Sequence, residues 1–233
     1  LSDLDDYEMR DAKKGQFYTT EPQRSLANNS AVYTMRPAPI EFMDEWLALA
    51  KSGSGERGIF NRGGLVKTLP ERRLTALKGY IGNLGVNPCG EIILQSKQFC
   101  NLSEVVARPE DTESSLLRKV RLATILGTYQ ATLTKFGYLS RQWKEHCEQE
   151  RLLGVSITGQ WDCPVLRTPA MLQKLKDHAL RVNAEYAKRF GINMSTCITC
   201  TKPSGNLSQT VDCSSGLHPR YAPYYIRRVR ISH

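Results

Sequence analysis

The sequence predicts an α/β protein, and three observations carry that expectation. Apolar residues recur at helical spacing over 40–51, 114–136 and 169–190. Short runs of strand character fall between them, near 25–33, 58–61, 154–159 and 193–201. Glycine or proline marks most of the junctions. Helices alternating with short strands are the pattern of α/β architecture.

Taken in order, residues 1–23 form a polar lead-in with an acidic start and Lys13-Lys14-Gly15, read as a helix end plus a loop. Ser25 to Tyr33 reads as a short strand. In the next segment Phe42, Met43, Trp46, Leu47 and Ala50 share one stripe, which makes 40–51 an amphipathic helix ended by Gly53, Gly55 and Gly58. Gly58 to Asn61 is the next strand. Over 114–136 the apolar positions surround most of the helix, so it should be buried on several sides. Gly154 to Gly159 is a strand. Thr168 and Pro169 make an N-cap and N1 pair for a helix running to Phe190, with Gly191 as its stop. No internal repeat or low-complexity tract is present.

The chain has 233 residues, 40% hydrophobic and 24% charged, which is ordinary for a globular protein with a substantial core. No apolar run approaches the roughly 18 residues of a membrane span, so no membrane association is expected. Net charge is +9, but the basic residues are scattered and the densest group is Arg220, Arg227, Arg228 and Arg230. That favours phosphate-bearing small molecules or solvated charge over nucleic acid. Seven cysteines, an odd number, in a chain without a secretory signal point to free thiols and a cytoplasmic setting. The start at Leu1 and the stop at His233, just after the strand-like run Tyr225 to Ile231, read as an internal piece of something longer: a single incomplete domain over 1–233.

Two segments carry chemistry. Asn87-Pro88-Cys89-Gly90-Glu91 displays a thiol at a tight bend, with a carboxylate two positions after it and an amide two before. A redox or radical thiol needs such access, a fixed place and a proton-handling neighbour. A structural turn with a packed cysteine is the plainer alternative. The second segment, Ser204-Gly205-Asn206-Leu207-Ser208, offers hydroxyls and backbone amides able to cradle phosphate, though it also suits an ordinary turn. Cys197 and Cys200 lie at i and i+3, which point to opposite faces of a strand, and lack two further ligands at zinc spacing, so no metal site is expected. Tyr224 and Tyr225 are read as packing residues.

Asn87 to Glu91, with Phe99-Cys100-Asn101-Leu102 downstream, resembles the finger loop and following strand of ribonucleotide reductases, and most closely the adenosylcobalamin-dependent (class II) ribonucleoside-triphosphate reductases. Ser25 to Ser30, Arg151 to Gly159, and Lys202 to Ser208 with Gly216 to Pro219 keep the family order. The resemblance implies part of a ten-stranded α/β barrel with the cysteine loop threaded through its centre. It implies that Cys89 forms a thiyl radical and removes the 3′ hydrogen, that Glu91 is the base at the 3′ hydroxyl, and that Asn87 binds the ribose hydroxyls. Cys100 would be one of the two reducing thiols, its partner lying upstream of residue 1 and the tail cysteines beyond residue 233, so this piece alone should not turn over. Ser204, Gly205, Asn206, Leu207 and Ser208 would hold the substrate phosphates. Adenosylcobalamin as cofactor, a thioredoxin-like reductant and a monomeric whole protein are implied as well. The alternatives are a class I large subunit acting on diphosphates, a non-catalytic nucleotide-binding module, or a thiol or zinc module around Cys197 and Cys200.

Overall fold

The computed structural model describes residues 1–226 and 228, which form two compact units, Leu1–Gln98 and Phe99–His233. Residues 227 and 229–231 of the expected strand at Tyr225–Ile231, with Arg227 and Arg230 of the basic group, lie outside the described residues.

In the first unit, short helices α1 (Tyr7–Asp11) and α2 (Phe17–Thr20) and a 3-10 turn (Pro22–Leu26) occupy the polar lead-in. Strand β1 (Ser30–Tyr33) pairs in parallel with β2 (Gly58–Asn61), Val32 facing Phe60, and Ser2 bridges Ala31 on the other side. The connection between them is α3 (Pro39–Ser52), which has Pro at its first position and Gly53 in the left-handed conformation at its end. The α3 stripe differs from expectation: Met43, Trp46 and Leu47 are exposed rather than buried. The core of this unit instead gathers Val32, Phe60, Leu65 and Leu84. Helices α4 (Leu65–Thr68) and α5 (Glu71–Ala76) lead to a hairpin of β3 (Gly85–Val86) and β4 (Ile93–Leu94), with Val86 opposite Ile93.

In the second unit, β5 (Asn101–Val106) runs parallel to β6 (Leu153–Thr158), with Leu102 opposite Gly154 and Glu104 opposite Ser156. Segment 197–200 adds a third row beside β6: Val155 N donates to Ile198 O, and Cys200 N donates to Val155 O. The row is shorter than the strand expected over 193–201. Helices α6 (Glu113–Gln130) and α8 (Pro169–Phe190) cover one face of this sheet, packing Leu116, Val120, Leu175 and Ala179 against Val105, Leu153, Val155 and Ile198. Each large aliphatic side chain buried there contributes roughly 1.5–3 kcal/mol. Thr168 caps α8 by accepting from Met171 N, and Gly191 closes it in the left-handed conformation, both as expected.

Helix α6 stops six residues short of its expected end. Thr132 Oγ1 donates to Tyr129 O and Thr134 Oγ1 reaches Glu148, so local hydroxyl bonds replace another helical turn. Helix α7 (Arg141–Glu150) has no counterpart among the expected elements, because its sequence is polar almost all round and buries only Cys147 and Glu150. A fully buried amide joins the layers: Asn183 Nδ2 donates to Thr128 Oγ1 and Ser195 Oγ, and Asn183 Oδ1 accepts from Ser195 N, each at 3.0 Å. That network fixes the third row of the sheet relative to both helices. Among the described residues the strands form open sheets, and no helix is long and apolar enough to cross a membrane.

Candidate active-site loop and phosphate turn

The cysteine loop is the tip of the β3–β4 hairpin. Asn87 N donates to Ile92 O and Gly90 N donates to Asn87 O, each at 3.0 Å, which closes a tight turn with Pro88 at its first central position. Asn87 Oδ1 accepts from Ile92 N at 2.9 Å, so the Asn87 side chain braces the loop with its oxygen and keeps its NH2 as donor. Cys89 stands exposed at the tip. Glu91 is half-buried, and its Oε2 is a buried acceptor without a hydrogen-bond partner. Beside the tip, Asn28 Nδ2 donates to Pro88 O. Asn28 sits in one of the sequence blocks noted above, yet no role followed from the sequence. Its amide anchors the loop backbone one residue before the thiol.

Cys100 immediately precedes β5 in the second unit, half-buried, and faces a bay over Gly154. A Cβ placed on Gly154 would lie 2.5 Å from Leu102 Cδ2, 3.1 Å from Cys200 Sγ and 3.3 Å from Cys100 Sγ. Glycine is therefore what lets the two sulfurs share this space. Neither is in a disulfide, and β6 runs between β5 and the row that holds Cys200. Cys147 and Cys213 are buried in low-polarity surroundings that push both thiols above their ordinary value, which suits inert packing. None of the seven cysteines is in a disulfide, and no cluster of three metal-ligating side chains occurs among the described residues.

The serine turn follows the third row of the same sheet. Ser204 adopts a positive φ of 54°, is 4% exposed, and has a hydroxyl with no hydrogen-bond partner. Gly205, Asn206 and Leu207 are exposed, and Leu207 opens the short helix α9 (Leu207–Thr210). Ser208 is fully buried, and its Oγ lies 2.6 Å from Ser215 Oγ, so its hydroxyl ties the turn to the segment behind it. That segment is pinned to the end of β6. Thr158 Oγ1 donates to Ser214 O and accepts from Gly216 N, each at 3.0 Å, and Asp162 Oδ2 accepts from Ser214 N at 2.7 Å. Gly216 must be glycine, since it has φ of 55° and a Cβ there would fall 2.5 Å from Lys202 O. Ser214 Oγ is a second buried hydroxyl without a partner.

The remaining sequence-predicted residues behave simply. Tyr225 donates to Gln209 Oε1 at 2.7 Å, whereas Tyr224 is 94% exposed rather than packed away among the described residues. Cys89, Asn87 and Glu91 come together on the first unit; Cys100 and the serine turn both fall in the second, Cys100 just before β5 and the turn backed by the segment pinned at the end of β6.

The fold is that of a portion of a ribonucleotide reductase. The chain aligns with the crystal structure of a B-12-dependent (class II) ribonucleotide reductase at a TM-score of 0.69 and 24% identity, covering 93% of this chain and 33% of that one. It also aligns with the class Id ribonucleotide reductase alpha subunit of Actinobacillus ureae at a TM-score of 0.60 and 20% identity, over 81% of this chain and 41% of that one. No family model matches the sequence. Among curated proteins, it is 27% identical over 175 residues to an adenosylcobalamin-dependent ribonucleoside-triphosphate reductase of Lactobacillus delbrueckii subsp. bulgaricus, covering 63% of this chain. A similar protein from Euglena gracilis is 28% identical over 159 residues, covering 64% of the chain. The chain spans 23% of the length of the first of these relatives and 21% of the second.

Proposed function

We propose that this chain is part of a class II ribonucleotide reductase that converts ribonucleoside triphosphates to 2′-deoxyribonucleoside triphosphates. The observation that carries the reading is the hairpin tip: an exposed thiol at Cys89 with the unpartnered oxygen of Glu91 two residues on, in a chain similar to reductases of that name. Cys89 supplies the sulfur that, as a thiyl, takes the 3′ hydrogen of the ribose. Glu91 accepts the proton of the 3′ hydroxyl as the 2′ hydroxyl leaves as water, and the Asn87 NH2 holds the ribose. Two thiols, Cys100 and one outside this chain, give up two electrons and two protons and end as a disulfide. The balance is ribonucleotide plus two thiols giving deoxyribonucleotide, disulfide and water.

Adenosylcobalamin is the proposed cofactor, following the relatives' names, and its role is to supply the initiating radical. The exposed tip and its single unpartnered carboxylate oxygen suit a small polar ligand rather than a corrin, so no residue of this chain is assigned to the cofactor. Ser204, with its unpartnered hydroxyl, and the backbone of Gly205, Asn206 and Leu207 are proposed to hold the substrate phosphates, with Ser208 shaping the turn. The whole protein is proposed to have a ten-stranded α/β barrel with the cysteine loop threaded through its centre. A thioredoxin-like reductant, a monomer, a cytoplasmic setting consistent with seven cysteines outside any disulfide, and no nucleic-acid or membrane partner complete the reading. The test is to supply the full-length protein with each ribonucleotide, a dithiol and adenosylcobalamin, and to measure deoxyribonucleotide. Reduction of triphosphates that requires the cofactor is the expected result; reduction of diphosphates without it would place the protein with class I enzymes.

A further inference from the structure

The sheet face that carries Cys100 also carries a charge pair that the reading above leaves unused. Side chains alternate along β5: Ser103 Oγ donates to Ala123 O on the helix side, whereas Leu102 projects with Gly154 on the opposite side. Glu104 therefore lies on the Leu102 side, opposite Ser156 in register. Its side chain is only 5% exposed, and its Oε2 accepts from Lys202 Nζ at 2.9 Å. Lys202, two residues beyond Cys200 and two before Ser204, keeps 30% of its side chain exposed. Four buried polar atoms of this part of the sheet have no hydrogen-bond partner: Glu104 Oε1, Ser156 Oγ opposite it in register, Ser204 Oγ two residues beyond Lys202, and Ser214 Oγ in the segment held by Thr158 at the end of β6. Leaving such groups unmade is costly, and their gathering at the head of one parallel sheet marks a place completed by a ligand.

We propose that Lys202 is the cation that meets the phosphate chain of a nucleotide at the serine turn, and that Glu104 is its built-in counter-charge. The inference rests on the reading that residues 204–208 take phosphate. Without ligand, Glu104 holds the ammonium against the sheet and keeps the site from presenting a bare positive charge. An arriving phosphate shares or takes the ammonium, a charge-assisted contact stronger than any the hydroxyls of Ser204 and Ser214 offer alone. Glu104 thereby weakens anion binding while positioning Lys202, and the two residues act with opposite sign.

That opposition is the test. Removing Lys202 alone would strand a buried carboxylate and risk unfolding, so the variants are Glu104→Gln and the neutral double variant Glu104→Gln/Lys202→Met, in the full-length protein. Inorganic tripolyphosphate, CTP and cytidine are titrated by calorimetry. Glu104→Gln should bind tripolyphosphate and CTP about three- to tenfold tighter than wild type, and the double variant at least tenfold weaker than Glu104→Gln. Cytidine should bind all three proteins alike. Weaker tripolyphosphate binding by Glu104→Gln, or equal binding by the two variants, overturns the inference, as does a parallel loss for cytidine. If wild type binds neither tripolyphosphate nor CTP, the phosphate reading of the serine turn itself falls, a different result from wild-type binding that ignores Lys202.

Discussion

Gly154→Ala is the substitution whose effect follows most directly from coordinates. The added methyl would sit 2.5 Å from Leu102 Cδ2, 3.1 Å from Cys200 Sγ and 3.3 Å from Cys100 Sγ. All three are inside ordinary carbon–carbon or carbon–sulfur contact, and Gly154 is the strand partner of Leu102, so the backbone cannot retreat without breaking the β5–β6 ladder. Leu102 is 38% exposed and its terminal methyl can swing away. The two sulfurs, on separate segments, must each give by a few tenths of an ångström as well. Overpacking of this kind costs about 1–3 kcal/mol. The functional cost adds to the stability cost if Cys100 is a reducing thiol, because its Sγ must then shift by a few tenths of an ångström and turnover is sensitive to the placement of a reacting group. The assay pairs deoxyribonucleotide formation by the full-length protein with the rate at which a maleimide labels Cys100. Gly154→Ala should slow the first and change the second. Adding Leu102→Ala should recover part of the stability but little of the turnover, since it relieves only the carbon contact. A Gly154→Ala protein with wild-type turnover and wild-type labelling would refute the argument that the glycine exists to seat Cys100.

Three other outcomes follow from the same geometry. Asn28→Ala removes the amide that grips Pro88 O; nucleotide affinity should hold while turnover falls about tenfold, read as kcat against KM, because only the placement of Cys89 is loosened. Cys100→Ser should stop multiple turnover with a dithiol reductant while leaving nucleotide binding in place, since its proposed task is electron delivery rather than recognition; continued multiple turnover would remove Cys100 from the reducing pair. Burial, reinforced by Arg181 and Arg121, holds His178 below the ordinary imidazole value despite its backbone contact with Leu117. The unfolded chain therefore takes up the proton first, and stability should fall as pH drops below about 6.5 toward the folded value. Urea midpoints measured on either side of that pH for wild type and His178→Gln check it, the variant being the flatter.

Much of the frame was legible in the sequence because its signals are local. Thr168, Pro169 and Gly191 bound α8 by capping chemistry that depends on a few residues, and the bend at Pro88 and Gly90 depends on backbone freedom alone. The signals that failed were those that depend on distant partners. Helix α7 shows no apolar stripe because only Cys147 and Glu150 are buried on it, and α6 ends where Thr132 and Thr134 find other partners. The α3 stripe was read correctly as a stripe, but Met43, Trp46 and Leu47 meet no core within the described residues. At the site, Cys89 and Glu91 stood out through their spacing. Asn28, Gly154 and the Glu104–Lys202 pair did not, since each acts on partners far away along the chain. Ser208, expected to contact phosphate through its side chain, spends its hydroxyl on Ser215.

The central claim is that the Cys89 sulfur is the atom that reacts with the substrate sugar, and one measurement meets it head on. Cys89→Ser in the full-length protein changes a single atom at an exposed tip, so the fold and the nucleotide affinity should be unchanged. The account predicts that deoxyribonucleotide formation then disappears while ribonucleotide still binds as tightly as to wild type. Deoxyribonucleotide produced by that variant at the wild-type rate would contradict it.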